Sequence, residues 1–219
     1  MALHFQRELD RLRKRLLEIG SMVEEAVDRS IRALLDRDQA LARETITGDT
    51  RIDRAEVEVE EDCLKLLALY QPVAGDLRLV ASVLKINNDL ERMGDHAVNI
   101  AERVEVLAGL DMVAGVSEDL ELLARKSRDA LRRSLDSFTR QDTALAREIC
   151  SRDDEVDDLN RKIIERLKDV MRNDREHVDA ALQLFSISRH LERIADHATN
   201  IAEDVVYLVE GQIVRHPHG

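Results

Sequence analysis

The sequence predicts an all-α protein made twice over: two tandem, internally duplicated three-helix bundles, six long antiparallel helices in all. Three observations predict it. Aromatic residues make up 2% of the chain and prolines number two, while charged residues reach 36%; few turn-formers and few β-formers leave long helices as the fitting state. Apolar residues recur at alternating spacings of three and four, the period of an amphipathic helix. A thirteen-residue stretch, LERMGDHAVNIAE at Leu90–Glu102, returns as LERIADHATNIAE at Leu191–Glu203 with ten positions identical, so one plan is used twice.

Leu9, Leu12, Leu16, Ile19, Val23 and Ala26 place the first helix from about His4 to Arg37, with one buried seam. Asp38 reads as the N-cap of a second helix that ends near Gln71-Pro72. Gly75-Asp76 opens the third, which carries Val80, Val83 and Leu84 into the repeated stretch and stops near Gly109. Glycines 109 and 115 mark residues 109–117 as the linker. Leu120, Leu123, Leu131 and Leu135 then form helix four, Asp142 caps helix five, and Asn173-Asp174 opens helix six toward Gly211. Ala144–Glu148 repeats Ala40–Glu44 at an offset of 104, whereas the central stretches are offset by 101. Loss of residues matching the turn Pro72–Gly75 accounts for the difference. The expected domains are 1–110 and 116–212, followed by a tail, 213–219, whose HPHG end is disordered or part of a short terminus.

The formal charge of −12, from 33 basic and 45 acidic residues, argues against a nucleic-acid binder and for cations or basic protein surfaces as partners. Cys63 and Cys150 have neither metal-type spacing nor a disulfide framework, which fits a reducing, cytoplasmic setting. The N-terminus is charged and amphipathic, unlike a signal peptide, and the apolar run Val205–Val209 is too short to span a bilayer.

Glu91, Asp95, Asn99 and Glu102 lie on one stripe of a helix, and Glu192, Asp196, Asn200 and Glu203 repeat that stripe. At the other offset Asp49 and Asp53 match Asp153 and Asp157. Each half therefore owns two acidic i, i+4 pairs on separate helices. Like charges at that spacing repel, more severely as water is withdrawn. Pairs facing each other across a bundle take up protons or bind cations. Oxygen ligands without cysteine suit hard ions, Fe³⁺, Mn²⁺, Mg²⁺ or Ca²⁺, with Zn²⁺ admitted through carboxylate and histidine. The plainer alternative is solvated helix faces bridged by Arg51, Arg54, Arg92 or Arg193. His96 and His197 point about 100° away from the stripe and read as interhelical or outer hydrogen-bond partners. Asn99 and Asn200 read as carbonyl ligands or as ends of the ladder, and Glu60 as a further acid near the first pairs.

No histidine has a glutamate three residues before it, which disfavours ferritin-like di-iron chemistry. No phosphate-cradling glycine loop and no nucleophile motif is present. A non-enzymatic metal-binding regulator is the first reading. A carboxylate-cluster hydrolase and a metal-free helical adaptor are the alternatives.

The paired acidic motifs, YQPVAGDLR at Tyr70–Arg78 and NNDLERMGDHAVNIAE at Asn87–Glu102 resemble the PhoU family of phosphate-transport accessory and regulatory proteins, over nearly the whole chain. The resemblance implies a cytoplasmic protein, peripheral to the membrane through its partners, that restrains the phosphate-starvation response. It would act between a phosphate ABC transporter and a sensor histidine kinase, as a homo-oligomer, a dimer. An accessory of another phosphate transporter is a close variant. It also implies iron or zinc clusters held by Asp49, Asp53, Glu91 and Asp95 in one half and by Asp153, Asp157, Glu192 and Asp196 in the other. Two departures from exact duplication bear on those sites: the second half has no counterpart of QPVAGDLR, and Ala195 stands where the first half has Gly94.

Overall fold

In the computed structural model, residues 2–111 and 113–214 are described, and they are helical with short connections. The expectation for the HPHG end lies outside them. The first half contains α1 (Ala2–Asp36), α2 (Gln39–Gly48), α3 (Thr50–Tyr70) and α4 (Ala74–Leu107). The second contains α5 (Ser117–Arg140), α6 (Thr143–Cys150), α7 (Asp153–Asn173) and α8 (Val178–Glu210). The six expected helices are these eight, because the second and the fifth are each broken once. Gly48, a weak helix former, ends α2, and Asp49 alone joins it to α3. Ser151 and Arg152 separate α6 from α7, and the Ser151 hydroxyl donates to the Glu148 carbonyl, a local bond that competes with the helical ladder.

Asp38 and Asp142 are the N-caps expected of them. The Asp38 carboxylate accepts from the amides of Ala40 and Leu41, and that of Asp142 from Leu145. Asp174 does not cap the last helix. It accepts from the Glu176 amide and the His177 ring inside the connection, and α8 begins only at Val178. The turn-deletion account of the two offsets is corrected as well. The connections run over residues 71–73 and 174–177, so the second is the longer by one. What α8 lacks is the start of the helix: at the 101 offset the first residue of α4, Ala74, corresponds to Arg175, three residues before α8 starts.

α4 and α8 run antiparallel along the centre of the molecule and join the two halves. α4 buries Leu90, Met93 and Ile100 and α8 buries Leu191, Ile194 and Ile201, all with no exposed surface; each such side chain contributes about 2 kcal/mol by leaving water. Polar links cross the same seam. Lys85 Nζ donates to the buried Asp204 carboxylate at 2.7 Å while lying 5.4 Å over the Tyr207 ring, and Arg78 Nε donates to the Leu208 carbonyl. The linker between α4 and α5 is pinned by the buried side chains of Val113 and Val116 and by Arg37, which donates to the Leu110 carbonyl. Among the described residues no helix is long and apolar enough to cross a membrane.

Candidate metal centres

The helix breaks decide where the acids go. Asp49 is the joint between α2 and α3, and Asp53 follows one turn into α3. Asp153 is the first residue of α7, with Asp157 one turn on. At a helix N-terminus the unpaired amides favour negative charge, so each break offers one pair of carboxylates a tolerable place. The long helix beside each break, α4 or α8, supplies the other pair.

In the first half the four acids are near enough for their charges to act on one another, though among the described residues only the second half brings three of them within 4.8 Å. Burial and the charges of Asp53, Asp95 and Glu91 push Asp49 up to about 6. Glu91 is also raised, by burial and then by Asp95, with Arg92 opposing and Glu56 and Asp53 adding. The approach is close because Gly94 of α4 lacks a side chain: a Cβ there would stand 3.4 Å from Asp49 Oδ1 and 3.3 Å from Ile52 Cδ1. Glu56 is nearer to this cluster than Glu60. It accepts from Asn87 Nδ2 at 3.1 Å and acts on Glu91, while Glu60 acts on Glu56.

In the second half, ligand oxygens of Asp157, Glu192 and Asp196 lie within 4.8 Å of one another. Burial, Glu192 and Asp153 push Asp196 up to about 6, against the pull of Arg193. Asp153 is raised by burial, although Thr199 Oγ1 donates to it at 3.0 Å. Glu192 is nine-tenths buried. Its Oε1 accepts from Arg189 at 3.0 Å, and its Oε2 has no hydrogen-bond partner among the described residues. Arg193 Nε lies 3.7 Å from that oxygen, within ion-pair reach though beyond a hydrogen bond; a buried carboxylate oxygen so weakly met, set among other carboxylates, fits a bound cation.

Of the remaining residues singled out in the sequence, His197, Asn200 and Glu203 line an open groove with Asp153 and Asp196. The rings of His96 and His197 meet in the α4–α8 seam, their centroids 5.5 Å apart. His96 Nδ1 is 3.2 Å from His190 Nδ1, and His197 Nδ1 is 2.7 Å from Asp89 Oδ1. Burial and the facing histidines hold His96 down at about 4, so it is a neutral ring near neutral pH. Asn200 donates to Asp89 and Asn99 to the Asp95 carbonyl, which leaves their side-chain oxygens as the atoms they offer. Glu102 acts on His190, and Glu203 on Cys150.

His190, Asp89 and Cys150 were not singled out in the sequence. At the 101 offset Asp89 and His190 occupy the same position, so a search for identical residues passes over them. Cys150 lines an open groove with Asp153, Asp196, Asn200 and Glu203, and burial with Glu203 and Asp153 pushes its thiol up to about 11. Its counterpart at the 104 offset is Ile46. Both cysteines are free.

Comparison with known proteins bears on the whole chain. A family model described as the PhoU domain matches twice, at residues 16–104 and 120–205. A protein of Aquifex aeolicus called a phosphate-specific transport system accessory protein PhoU homolog is 40% identical, over 97% of this chain and 96% of its own. One from Clostridium acetobutylicum with the same description is 35% identical over 96% of each. The crystal structure of PhoU from Pseudomonas aeruginosa superposes with a TM-score of 0.93 at 35% identity, covering 95% of this chain and all of that one. The two matched segments coincide with the two halves that carry the paired acids, and the chain belongs to the PhoU family.

Proposed function

We propose that the protein is an accessory and regulator of phosphate-specific transport whose two carboxylate clusters bind metal ions. Near full-length similarity to accessory proteins of phosphate-specific transport supports the first half of that reading. The observation that carries the metal half is the gathering of Asp157, Glu192 and Asp196, whose ligand oxygens lie within 4.8 Å of one another, beside a first-half set of acids coupled through Asp49; Asp49 and Asp196 are each raised to about 6. That state is costly at neutral pH unless a cation offsets the repulsion. Asp49, Asp53, Glu91 and Asp95 hold one site, and Asp153, Asp157, Glu192 and Asp196 the other, with iron or zinc the first expectation and manganese, magnesium or calcium following. A bound ion supplies positive charge that neutralises the cluster and ties the helix break to the neighbouring long helix. The chain sets one acidic pair of each half at a helix break and the other along the neighbouring long helix, an arrangement for holding ions.

The regulator acts in the cytoplasm, as a homodimer, between a phosphate ABC transporter and a sensor kinase at the inner face of the membrane. Its net charge of −12 supports basic partner surfaces. The test has two arms. Elemental analysis of protein purified without chelator, before and after supplementation with iron, zinc and manganese, should give metal that is lost in Asp53→Ala/Asp95→Ala/Asp157→Ala/Asp196→Ala. No bound metal under any of these conditions overturns the metal half. Affinity capture that recovers neither transporter subunits nor a sensor kinase counts against the adaptor half.

A further inference from the structure

Each half leaves a cleft between its first helix and the helix break that follows, and the two clefts are filled differently. The first is lined by Met22, Glu25, Arg29, Gly48, Arg51 and Ile52. At the 104 offset these become Lys126, Asp129, Arg133, Arg152, Glu155 and Val156, and all six line a cleft of the second half. There an ionic lattice closes over it. Arg133 Nη2 donates to one oxygen of Glu148 at 2.5 Å, Arg152 reaches the other at 2.7 Å, and Lys126 donates to Glu155 at 2.6 Å.

The first half lacks that lattice. Gly48 stands in the place of Arg152, Arg51 in that of Glu155 and Met22 in that of Lys126, while Glu44, the counterpart of Glu148, is exposed. Arg29 is left with a side chain only 22% exposed that donates no hydrogen bond among the described residues, and its Nε is buried without a partner. Its one ion pair is with Glu25 at 3.5 Å, a side chain 63% exposed. Arg51, on the same cleft, is exposed and has no ion pair among the described residues. Two guanidinium groups thus share one loosely placed carboxylate, and what the cleft lacks is an acceptor. The second half shows the group that completes it, a carboxylate on the equivalent arginine. Gly48 keeps the approach clear: a Cβ there would stand 3.4 Å from Arg29 Nη2. The enclosed space is about 10 Å³, room for the oxygen of an anion docked at the mouth rather than for a buried organic molecule. The cleft lies on the α1 side of the break, whereas Glu91 and Asp95 of the carboxylate cluster belong to α4.

We propose that the cleft between α1 and the α2–α3 break binds a small free oxyanion, phosphate or carboxylate, on Arg29 and Arg51, in the place that Glu148 takes on Arg133. The guanidinium fork matches two oxygens of such an anion. The site goes beyond the accessory role proposed above and stands whether or not the carboxylate clusters hold metal.

The test is calorimetric titration of sodium phosphate, acetate and chloride into the full chain at low ionic strength, where charges are least screened. Chelator-treated protein is used, so that no metal takes up the anion. Phosphate and acetate should each bind at least tenfold more tightly than chloride. Arg51→Glu, which gives α3 the residue of α7, should weaken phosphate binding at least tenfold, and so should Arg29→Met. Arg54→Glu makes the same charge change at an exposed position outside the cleft and should leave binding within twofold. Should Arg29→Met not fold, the two variants at exposed arginines carry the comparison. Phosphate bound no more tightly than chloride overturns the proposal, as does unchanged binding in Arg51→Glu. Equal losses in Arg51→Glu and Arg54→Glu overturn it too, since net charge alone would then account for the effect. Metal uptake is measured on the same preparations. Absent anion binding beside intact metal uptake removes the cleft alone, and anion binding by protein that takes up no metal removes the metal reading alone.

Discussion

Arg92 approaches Glu91 at 3.6 Å in the first carboxylate cluster, whereas in the second Arg189 and Arg193 donate to Glu192 and Asp196 at 3.0 Å. The ligand pairs are the same in type and spacing. Their surroundings are not. In the second half two guanidinium groups already offset part of the charge a cation would offset, and Thr199 anchors Asp153. In the first half the neighbours add charge: Glu56 acts on Glu91, and Asn160 occupies the equivalent position on α7. Duplication has copied the ligands, and divergence has set their electrostatic setting.

The largest consequence is a difference in metal affinity. The first cluster should bind at least tenfold more tightly, because its carboxylates have less competing positive charge and a further acid beside them. Single-site proteins made with Asp53→Ala/Asp95→Ala or with Asp157→Ala/Asp196→Ala measure it by titration calorimetry. Equal affinities, or a tighter second site, would show that the surrounding charges do not reach the ions. Glu56→Asn should weaken the first site by severalfold, and Glu60→Ile by less, since Glu60 acts on Glu56.

The comparison also shows how far the sequence could be read. The duplicated helices, their caps at Asp38 and Asp142, and the presence of two acidic pairs per half all follow from periodicity and from identity at a fixed offset. Arg193 matches Arg92 and was a candidate partner from the sequence, whereas Arg189 was not legible that way. Arg189 aligns with Asn88, and only the folded helix shows its guanidinium reaching Glu192. The helix breaks were hidden too, because Gly48 and Ser151 lie in runs that keep helical periodicity. The role of Glu56 depends on its approach to Asn87 across two helices, which spacing along one helix cannot reveal.

Removing the arginines should narrow the gap between the halves. Arg189→Ala/Arg193→Ala is expected to tighten the second site about fivefold, as two competing cations leave a partly buried cluster. Arg92→Ala should change the first by less than twofold, given its longer approach. An unchanged second site would mean that the guanidinium groups swing out to solvent when metal binds.

The metal-free protein carries the same asymmetry in its pH dependence. Asp49 and Asp196 have folded pKa values of about 6 against an ordinary 3.8. A raised carboxyl holds its proton more tightly in the folded state, so its contribution to stability is full below pH 4 and is lost as pH rises to 6. Asp49→Asn should therefore raise the melting temperature of chelator-treated protein at pH 7 by a few degrees and have no such effect at pH 4. Asp196→Asn should gain less, because it also gives up the ion pair with Arg193. Thermal melts at the two pH values check both; a loss of stability in Asp49→Asn at pH 7 would remove the repulsion argument for the first site.

The smallest effect concerns one of the three residues that differ within the repeated stretch, Gly94 against Ala195. Alanine is favoured over glycine inside a helix by about 1 kcal/mol, so Gly94→Ala begins with that gain. The new Cβ would stand 3.3 Å from Ile52 Cδ1 and 3.4 Å from Asp49 Oδ1, close enough that these side chains must give by a few tenths of an ångström. The two terms oppose each other, and the change in stability should lie within about 0.5 kcal/mol of zero, as for an unremarkable substitution. Metal affinity should fall two- to threefold, since the shift carries Asp49 away from Glu91 and Asp95. Ala195→Gly removes a methyl that is 2% exposed and brings no compensating contact, so it should cost about 1 kcal/mol with little change in metal binding. Denaturant melts and metal titrations of the two reciprocal variants separate the terms. If Gly94→Ala stabilises by the full propensity gain and leaves metal binding unchanged, the close approach at Gly94 is a packing accident rather than part of the first site.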